Sequence, residues 1–524
     1  MDSTAFRPVP GTDDARWPFW SPDNRFLAFF AGGTLKKVDV SVPSAPLPPV
    51  TVCECPTNVI GGSWGKGNRI LFTQGFGAGP VVSIPATGGA PTPVTSLQPG
   101  ELFDAGPWFL PDGRHFLFLA VKSSPDGSVA YFGDVESKTQ HATLLVGNGS
   151  PVFAPPGYVL FTRARILMAQ PFDGTAGRTM GDPVAIVPDQ VASAGPALLS
   201  VSHNGGVLVY VSGTTGLGTA SHQLTWFDKS GKARETVGEP GLQQNPAISP
   251  DGTKVAFGRG ETDAPGRSDI WLHDLARGHT SRFTLPNSST RSTPTIGSLR
   301  GLSIPVWSSD GQYIAFFSRG PRSGGSIIYK RATSGRAQDE VLDDDNRVKR
   351  LVDWSHDGRY LVEESLDPQA GGYKIWVKPL FGDGKPYPYL NTQFREIDAK
   401  LSPDGQWLAY VSDESKRNEV YVTTFPNPGT RVPISISGGD RPVWSRDGKF
   451  LYFIGADRTM MAVDMKPRDK AGYGTPTPLF DVRIDPQSSF DVAKDGRFLI
   501  PVPIGEGAAT TINVVINWQA RFKK

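Results

Sequence analysis

Ser249-Pro250-Asp251-Gly252-Thr253-Lys254-Val255-Ala256-Phe257 joins a turn signature to a short apolar run, and the same pairing recurs along the whole chain. Ser402-Pro403-Asp404-Gly405 repeats it in pure form, and further variants begin at Ser21, Gly65, Leu110, Ala154, Ser202, Ser308, Ser355, Ser445 and Ala493, giving eleven copies. Their spacing is about 43 to 48 residues, except between Asp251 and Asp310, where residues 286–301 insert a Ser/Thr-rich stretch. A period of this size marks a propeller, in which each repeat builds one four-stranded sheet.

The residue types follow from the turn. Proline presets φ at the second position, serine caps the first, aspartate is tolerated at the third, and glycine supplies the left-handed conformation that closes the hairpin. An apolar strand ending in serine precedes each copy, as in Pro442-Val443-Trp444-Ser445. An alternating strand follows, as in Gln406-Trp407-Leu408-Ala409-Tyr410, and a third lies some ten to fifteen residues on, as in Asp269-Ile270-Trp271-Leu272. Four strands per period leave little room for helix. The expected fold class is therefore all-β: about eleven four-stranded blades, in two consecutive β-propellers.

Composition agrees. The 60 Gly and 47 Pro fall at turn positions, while 29 Phe, 13 Tyr and 12 Trp supply side chains that sheets pack well. With 53 Lys plus Arg against 51 Asp plus Glu, the net charge of +2 gives no basic surface for nucleic acid, and no nucleic-acid partner is expected. No window approaches eighteen consecutive apolar residues, and residues 1–8 lack a basic start and an apolar core, so neither a membrane span nor a signal peptide is expected. Cys53 and Cys55 lie two apart in one strand and are expected on opposite faces, unable to bridge easily and without a metal or redox role.

Beyond the turns, longer stretches carry a resemblance: residues 18–23, 29–33, 167–173 and 223–228, Phe109-Leu110-Pro111-Asp112-Gly113, and the closing Asn513-Val514-Val515-Ile516-Asn517-Trp518. The chain resembles TolB-like, WD-repeat-like propellers, and in particular the C-terminal extracytoplasmic region of acidobacterial membrane-bound serine/threonine protein kinases. That resemblance implies a periplasmic sensing or protein-interaction role linked to kinase signalling; expressed alone, without a leader, the chain would be cytoplasmic. Kinase activity is not implied, because a glycine loop opening onto a helix, Val-Ala-Ile-Lys, His-Arg-Asp and Asp-Phe-Gly are all missing. The family pattern also places a further blade upstream, so that residues 4–10 read as its last strand. Twelve blades would divide evenly, which suggests a first propeller over residues 1–240, with about five blades plus that stray strand, and a second over 241–524 with about six. An interleaved alternative, with residues 512–518 pairing in a sheet begun elsewhere, fits the sequence as well.

Several motifs invite catalytic readings, and each has a plainer one. Gly61-Gly62-Ser63-Trp64-Gly65 matches the Gly-x-Ser-x-Gly nucleophile pattern, yet it leads into a hairpin and not into the helix that a nucleophile elbow needs. Gly75-Phe76-Gly77-Ala78-Gly79-Pro80 resembles a phosphate loop but is followed by a strand. Asp251, Asp310, Asp357, Asp404 and Asp447 recur once per repeat and are expected to cap their own turns. Asp343-Asp344-Asp345 lacks the alternating ligands of a calcium loop. The histidines at 115, 141, 203, 222, 273, 279 and 356 lack the close pairing zinc requires. Trp20, Trp307, Trp354 and Trp444 adjoin the recurrent serine and are expected to pack between neighbouring blades. No catalytic, cofactor-binding or metal-binding residue is assigned, and no cofactor is expected. The expected function is a non-catalytic module that presents a propeller face to a protein, peptide or glycan. The alternative is an enzyme, such as a hydrolase, a lyase or a peptidase accessory domain, whose residues gather at a propeller mouth.

Overall fold

The computed structural model describes residues 9–522 except 13–14, 32, 42–46, 56–58, 60, 74–78, 123–127, 138–139, 147–148, 164–165, 188–190, 192–198, 203, 213–220, 261–267, 285–303, 320–324, 335–337, 346, 368–371, 391, 466–472, 486–487 and 505–510. The described residues form antiparallel sheets, mostly of four strands, with one short 3-10 turn at Trp518–Phe522. The recurrent turns are built as their residue types require. Ser249 Oγ donates to Asp251 Oδ1 at 2.6 Å and accepts from Lys254 N at 2.9 Å, while Asp251 Oδ1 accepts from Thr253 N at 3.0 Å. Gly252 takes the left-handed φ of 78°, and the glycines at 113, 205, 311, 358, 405, 448 and 496 do the same. The Ser249 hydroxyl holds the Asp251 carboxyl down to about 2, and the serine of the turn likewise lowers Asp23, Asp310 and Asp447. These aspartates cap turns.

Residues divide into two compact units, 1–214 with 510–524, and 215–509. Among the described residues, the second unit holds six sheets. Sheet 6 orders its strands Ala233–Gly241, His222–Phe227, Phe498–Pro503 and Asp491–Val492, so it is assembled from the two ends of the unit. Sheets 7 to 11 follow the chain and begin with Gln243–Ile248, Val306–Trp307, Lys349–Trp354, Glu396–Leu401 and Gly439–Trp444. Six apolar clusters join them in cyclic order. Leu224 and Trp226 pack with Val255 and Phe257, Ala256 and Ile270 with Ile314 and Phe316, and Val306 and Ile328 with Leu351 and Leu361. Val362 and Ile375 pack with Leu408 and Tyr410, Val411 and Val420 with Leu451 and Phe453, and Tyr452 with Val492 and Phe498, which returns to sheet 6. Every sheet thus buries both faces against neighbours.

The first unit holds sheets 1 to 5, which begin with Arg16–Trp20, Gly62–Gly65, Glu101–Phe109, Val152–Ala154 and Leu199–Val201. Clusters join 1 to 2 through Phe30 and Phe72, 2 to 3 through Leu71 and Phe118, 3 to 4 through Leu117 and Phe161, and 4 to 5 through Leu160 and Leu208. Sheet 5 is completed from the far end of the chain: Thr511–Ile516 pairs antiparallel with Val207–Ser212. A boundary at 240/241 therefore does not match the pairing. The strands at His222–Phe227 and Ala233–Gly241 belong with the second unit, and Thr511–Ile516 belongs with the first, as the interleaved alternative allowed. The physical reason is that an unpaired strand edge is a liability, and pairing the ends of a unit in one sheet removes it.

Asp104 sits wholly buried in sheet 3, where it accepts from the Thr95 hydroxyl, and burial pushes its carboxyl up to about 7. A raised carboxyl binds its proton more tightly in the folded state, so its contribution is full below about pH 4 and is lost as pH rises towards 7, worth roughly 4 kcal/mol. Asp104→Asn should therefore change melting temperature little at pH 4 and raise it at pH 8. An equal shift at both pH values would show that Asp104 is ionised throughout.

Candidate functional site on the first strands of the second unit

First strands of successive sheets approach one another around the second unit, and direct bonds link them. Trp307 Nε1 donates to Ala247 O at 2.9 Å, Leu401 N to Asp353 Oδ2 at 2.7 Å and Trp444 Nε1 to Lys400 O at 3.0 Å, and Ile248 N donates at 2.7 Å to Asp491 Oδ2 on the edge strand Asp491–Val492 of sheet 6. The first strands of sheets 7 and 8, and of sheets 9 to 11, are thus bonded to one another directly.

Four residues before the turn's first position, many of these strands carry a left-handed residue. In the second unit these are Asn245 (φ 52°), Asp398 (φ 57°) and Arg441 (φ 55°); in the first they are Trp17, Gly61 and Gly106. Strand pairing slips there, between Gln244 and Ala247, Ile397 and Lys400, and Asp440 and Val443, which is a β-bulge. Asn and Asp tolerate this conformation, whereas Arg at 55° costs about 1 kcal/mol. One backbone device is therefore repeated, but its side chain changes. It is polar or charged in each of these three sheets of the second unit.

Buried polar groups surround the bulges. Asn245 N donates to Ser488 Oγ at 3.2 Å, and Asn245 Oδ1 accepts from Ser489 N at 3.1 Å. Asp398 N donates to Glu364 Oε1 at 2.6 Å, and Arg350 Nε donates to Glu364 Oε2 at 2.7 Å, so the fully buried Glu364 ties sheet 9 to sheet 10. Burial works against the Arg350 charge but Glu364 outweighs it, and the guanidinium pKa rises. Burial lowers that of Arg395, opposed by Asp413, whose Oδ1 accepts from Arg395 N at 2.9 Å. Arg441 Nη1 donates to Asp440 Oδ1 at 3.0 Å. The Gln244 side-chain amide is fully buried, with neither its nitrogen nor its oxygen hydrogen-bonded among the described residues.

Beside this group, between sheets 8 and 9, Arg347 reaches Asp345 at 2.6 Å and Glu363 at 2.9 Å, and Lys378 reaches Asp343 at 2.8 Å. Lys349 contacts both aspartates, and burial brings its ammonium down to about 8. Asp343 and Asp345 thus serve an ion-pair network. Among the described residues, no three His, Cys, Asp or Glu side chains are placed to hold a metal ion together.

The motifs read from the sequence are not gathered at this site. Ser63 lies in the paired strand Gly62–Gly65, where its Oγ accepts from Phe109 N at 3.0 Å. Residues 74–78 of the glycine-rich stretch, His203 and most of the stray strand at 4–10 lie outside the described residues, as does the His141 side chain. His115 pairs with Asp112 at 2.6 Å, His273 with Thr280 at 2.7 Å, and the buried His222 lies 3.5 Å from Asp485, while His279 and His356 are exposed. Trp307 and Trp444 link neighbouring sheets as expected. Trp354 also packs against the cluster joining sheets 8 and 9, while its indole donates to Gly358 O within its own turn at 3.3 Å; Trp20 departs from the expectation, being 53% exposed. Cys53 and Cys55 do not lie on opposite faces, because both pack against the cluster of Leu35 and Val52. Side chains two apart in a strand share a face.

The bulge residues were not singled out from sequence, although a signal existed: Trp17-Pro18, Gly106-Pro107, Asn245-Pro246 and Arg441-Pro442 stand at one fixed offset from the turn. A proline there loses no ladder bond, since the bulge already interrupts pairing.

No protein-family model matches the chain. Among solved structures it is similar to the protein described as TolB from Agrobacterium tumefaciens, with a TM-score of 0.43 and 17% identity over 55% of this chain and 100% of that one. It is also similar to TolB from Acinetobacter baumannii, with a TM-score of 0.37 and 17% identity over 76% of this chain and 82% of that one. The tricorn protease gives 0.32 at 14% identity, over 88% of this chain and 48% of that one.

Proposed function

We propose that the two units are β-propellers of five and six blades, and that the chain is a non-catalytic recognition module whose second unit takes a protein or peptide at the bulges of its first strands. The observation that carries this reading is the fixed bulge with a changing polar side chain at Asn245, Asp398 and Arg441. A uniform framework that varies only its polar groups is the arrangement recognition requires, since the scaffold fixes position and the side chains set specificity. The non-catalytic reading is supported by Ser63, whose hydroxyl serves a neighbouring strand. The resemblance to the extracytoplasmic region of membrane-bound kinases supports a periplasmic sensing role in kinase signalling.

Glycine keeps the left-handed backbone while removing the side chain, so the test is an Asn245→Gly, Asp398→Gly, Arg441→Gly variant. Selection of phage-displayed random dodecapeptides on the native chain should enrich a consensus, and affinity for the winning peptide should fall at least tenfold in the triple variant with the fold retained. Equal affinity would remove the bulges from the recognition surface.

A further inference from the structure

Cys53 ends one residue before the close of the strand Val50–Glu54, the outer strand of sheet 1, and Cys55 follows it. Cys55 N donates to Gly33 O at 2.9 Å, so the chain stays extended through both cysteines. Their side chains lean on the same apolar cluster, Cys53 buried and Cys55 half-buried, and neither forms a disulfide. Two apart in an extended run, the two side chains project to the same face.

Spacing decides what such a pair can do. Two residues of extended strand advance about 6.6 Å, whereas a disulfide holds its Cβ atoms only about 3.5–4.5 Å apart. Closing one here would bend a strand held by Thr34↔Glu54 and Leu35↔Cys53 pairing. A cation joined to two thiolates at about 2.3 Å each lets its sulfurs stand up to about 4.6 Å apart, which leaning side chains on an unbent strand can span. Two thiolates and no third ligand suit a soft, low-coordinate ion, of which Cu(I) is the common case. We propose that Cys53 and Cys55 form a two-thiolate site for a soft monovalent metal ion. On binding, each S–H loses its proton to solvent as an S–Cu bond forms, with no change in oxidation state.

The experiment offers the reduced, anaerobic chain the Cu(I)–bicinchoninate complex and follows loss of its colour. One equivalent per chain should be withdrawn, and bound copper should slow iodoacetamide alkylation of both cysteines together at least tenfold. Cys55→Ala, at the less buried position, should abolish both effects while its melting curve stays cooperative, and Cys53→Ala should match it. Copper withdrawal unaffected by either variant, or no withdrawal at all, would overturn the site. So would a 2 Da mass loss with oxidised glutathione, localised to the 53–55 peptide, since it would show the strand bending to a disulfide instead.

Discussion

Glu364→Ala is expected to destabilise the second unit by about 3–5 kcal/mol, because it strands a buried guanidinium. Glu364 is fully buried, accepts from Arg350 on its own sheet and from the Asp398 amide on the next, and so serves two orphans at once. Removing it takes away the main partner of the Arg350 charge and leaves the bulge amide without its acceptor. The informative companion is the double variant Arg350→Met, Glu364→Leu. Replacing both partners of a buried pair by apolar groups of similar volume is commonly neutral or stabilising, so most of the loss should return. Urea unfolding followed by hydrogen exchange over residues 349–401 would measure both. If the double variant were as unstable as the single one, the ion pair would not be the cause. If it recovered stability but lost the peptide that the native chain selects, the buried charges would be held for recognition.

The second large effect concerns the other unit. Trp518→Ala should destabilise it by about 3–5 kcal/mol, the usual range for deleting a buried aromatic. Trp518 is 1% exposed, packs edge-on to Tyr158 at 5.6 Å and donates from Nε1 to Gly205 O at 2.8 Å. It anchors the strand Thr511–Ile516, which completes sheet 5 from a distance of some three hundred residues in sequence. Hydrogen exchange should accelerate first at residues 207–212, the partners of that strand. Trp518→Phe keeps the ring but loses the donor, and should cost about 1 kcal/mol. Protection of 207–212 unchanged in Trp518→Ala would mean the strand is held by something else.

The repeat was legible because its cause is local. A serine, an aspartate and a glycine within four residues fix a turn whatever surrounds them, and the hydrogen bonds from Ser249, Ser308, Ser355 and Ser445 to their aspartates are as that chemistry requires. The membership of strands in sheets was less legible. His222–Phe227 and Phe498–Pro503 are each ordinary strands, and nothing within either names the other as partner. The buried charges were invisible for a related reason. Arg350 and Glu364 meet because their strands pair in one register, and Asp398 joins them only because sheets 9 and 10 stack. The cysteines failed differently: the two-residue period of a strand places them side by side, and the expectation of opposite faces misapplied it.

Hydrogen exchange of the native chain, with and without a saturating amount of the selected dodecapeptide, tests the recognition account most directly. Protection should concentrate on residues 243–248, 392–398 and 437–442, which carry Gln244 and the three polar bulges. Protection confined to the Ser-Asp turns at 249–252, 402–405 and 445–448, or to the first unit, would contradict it.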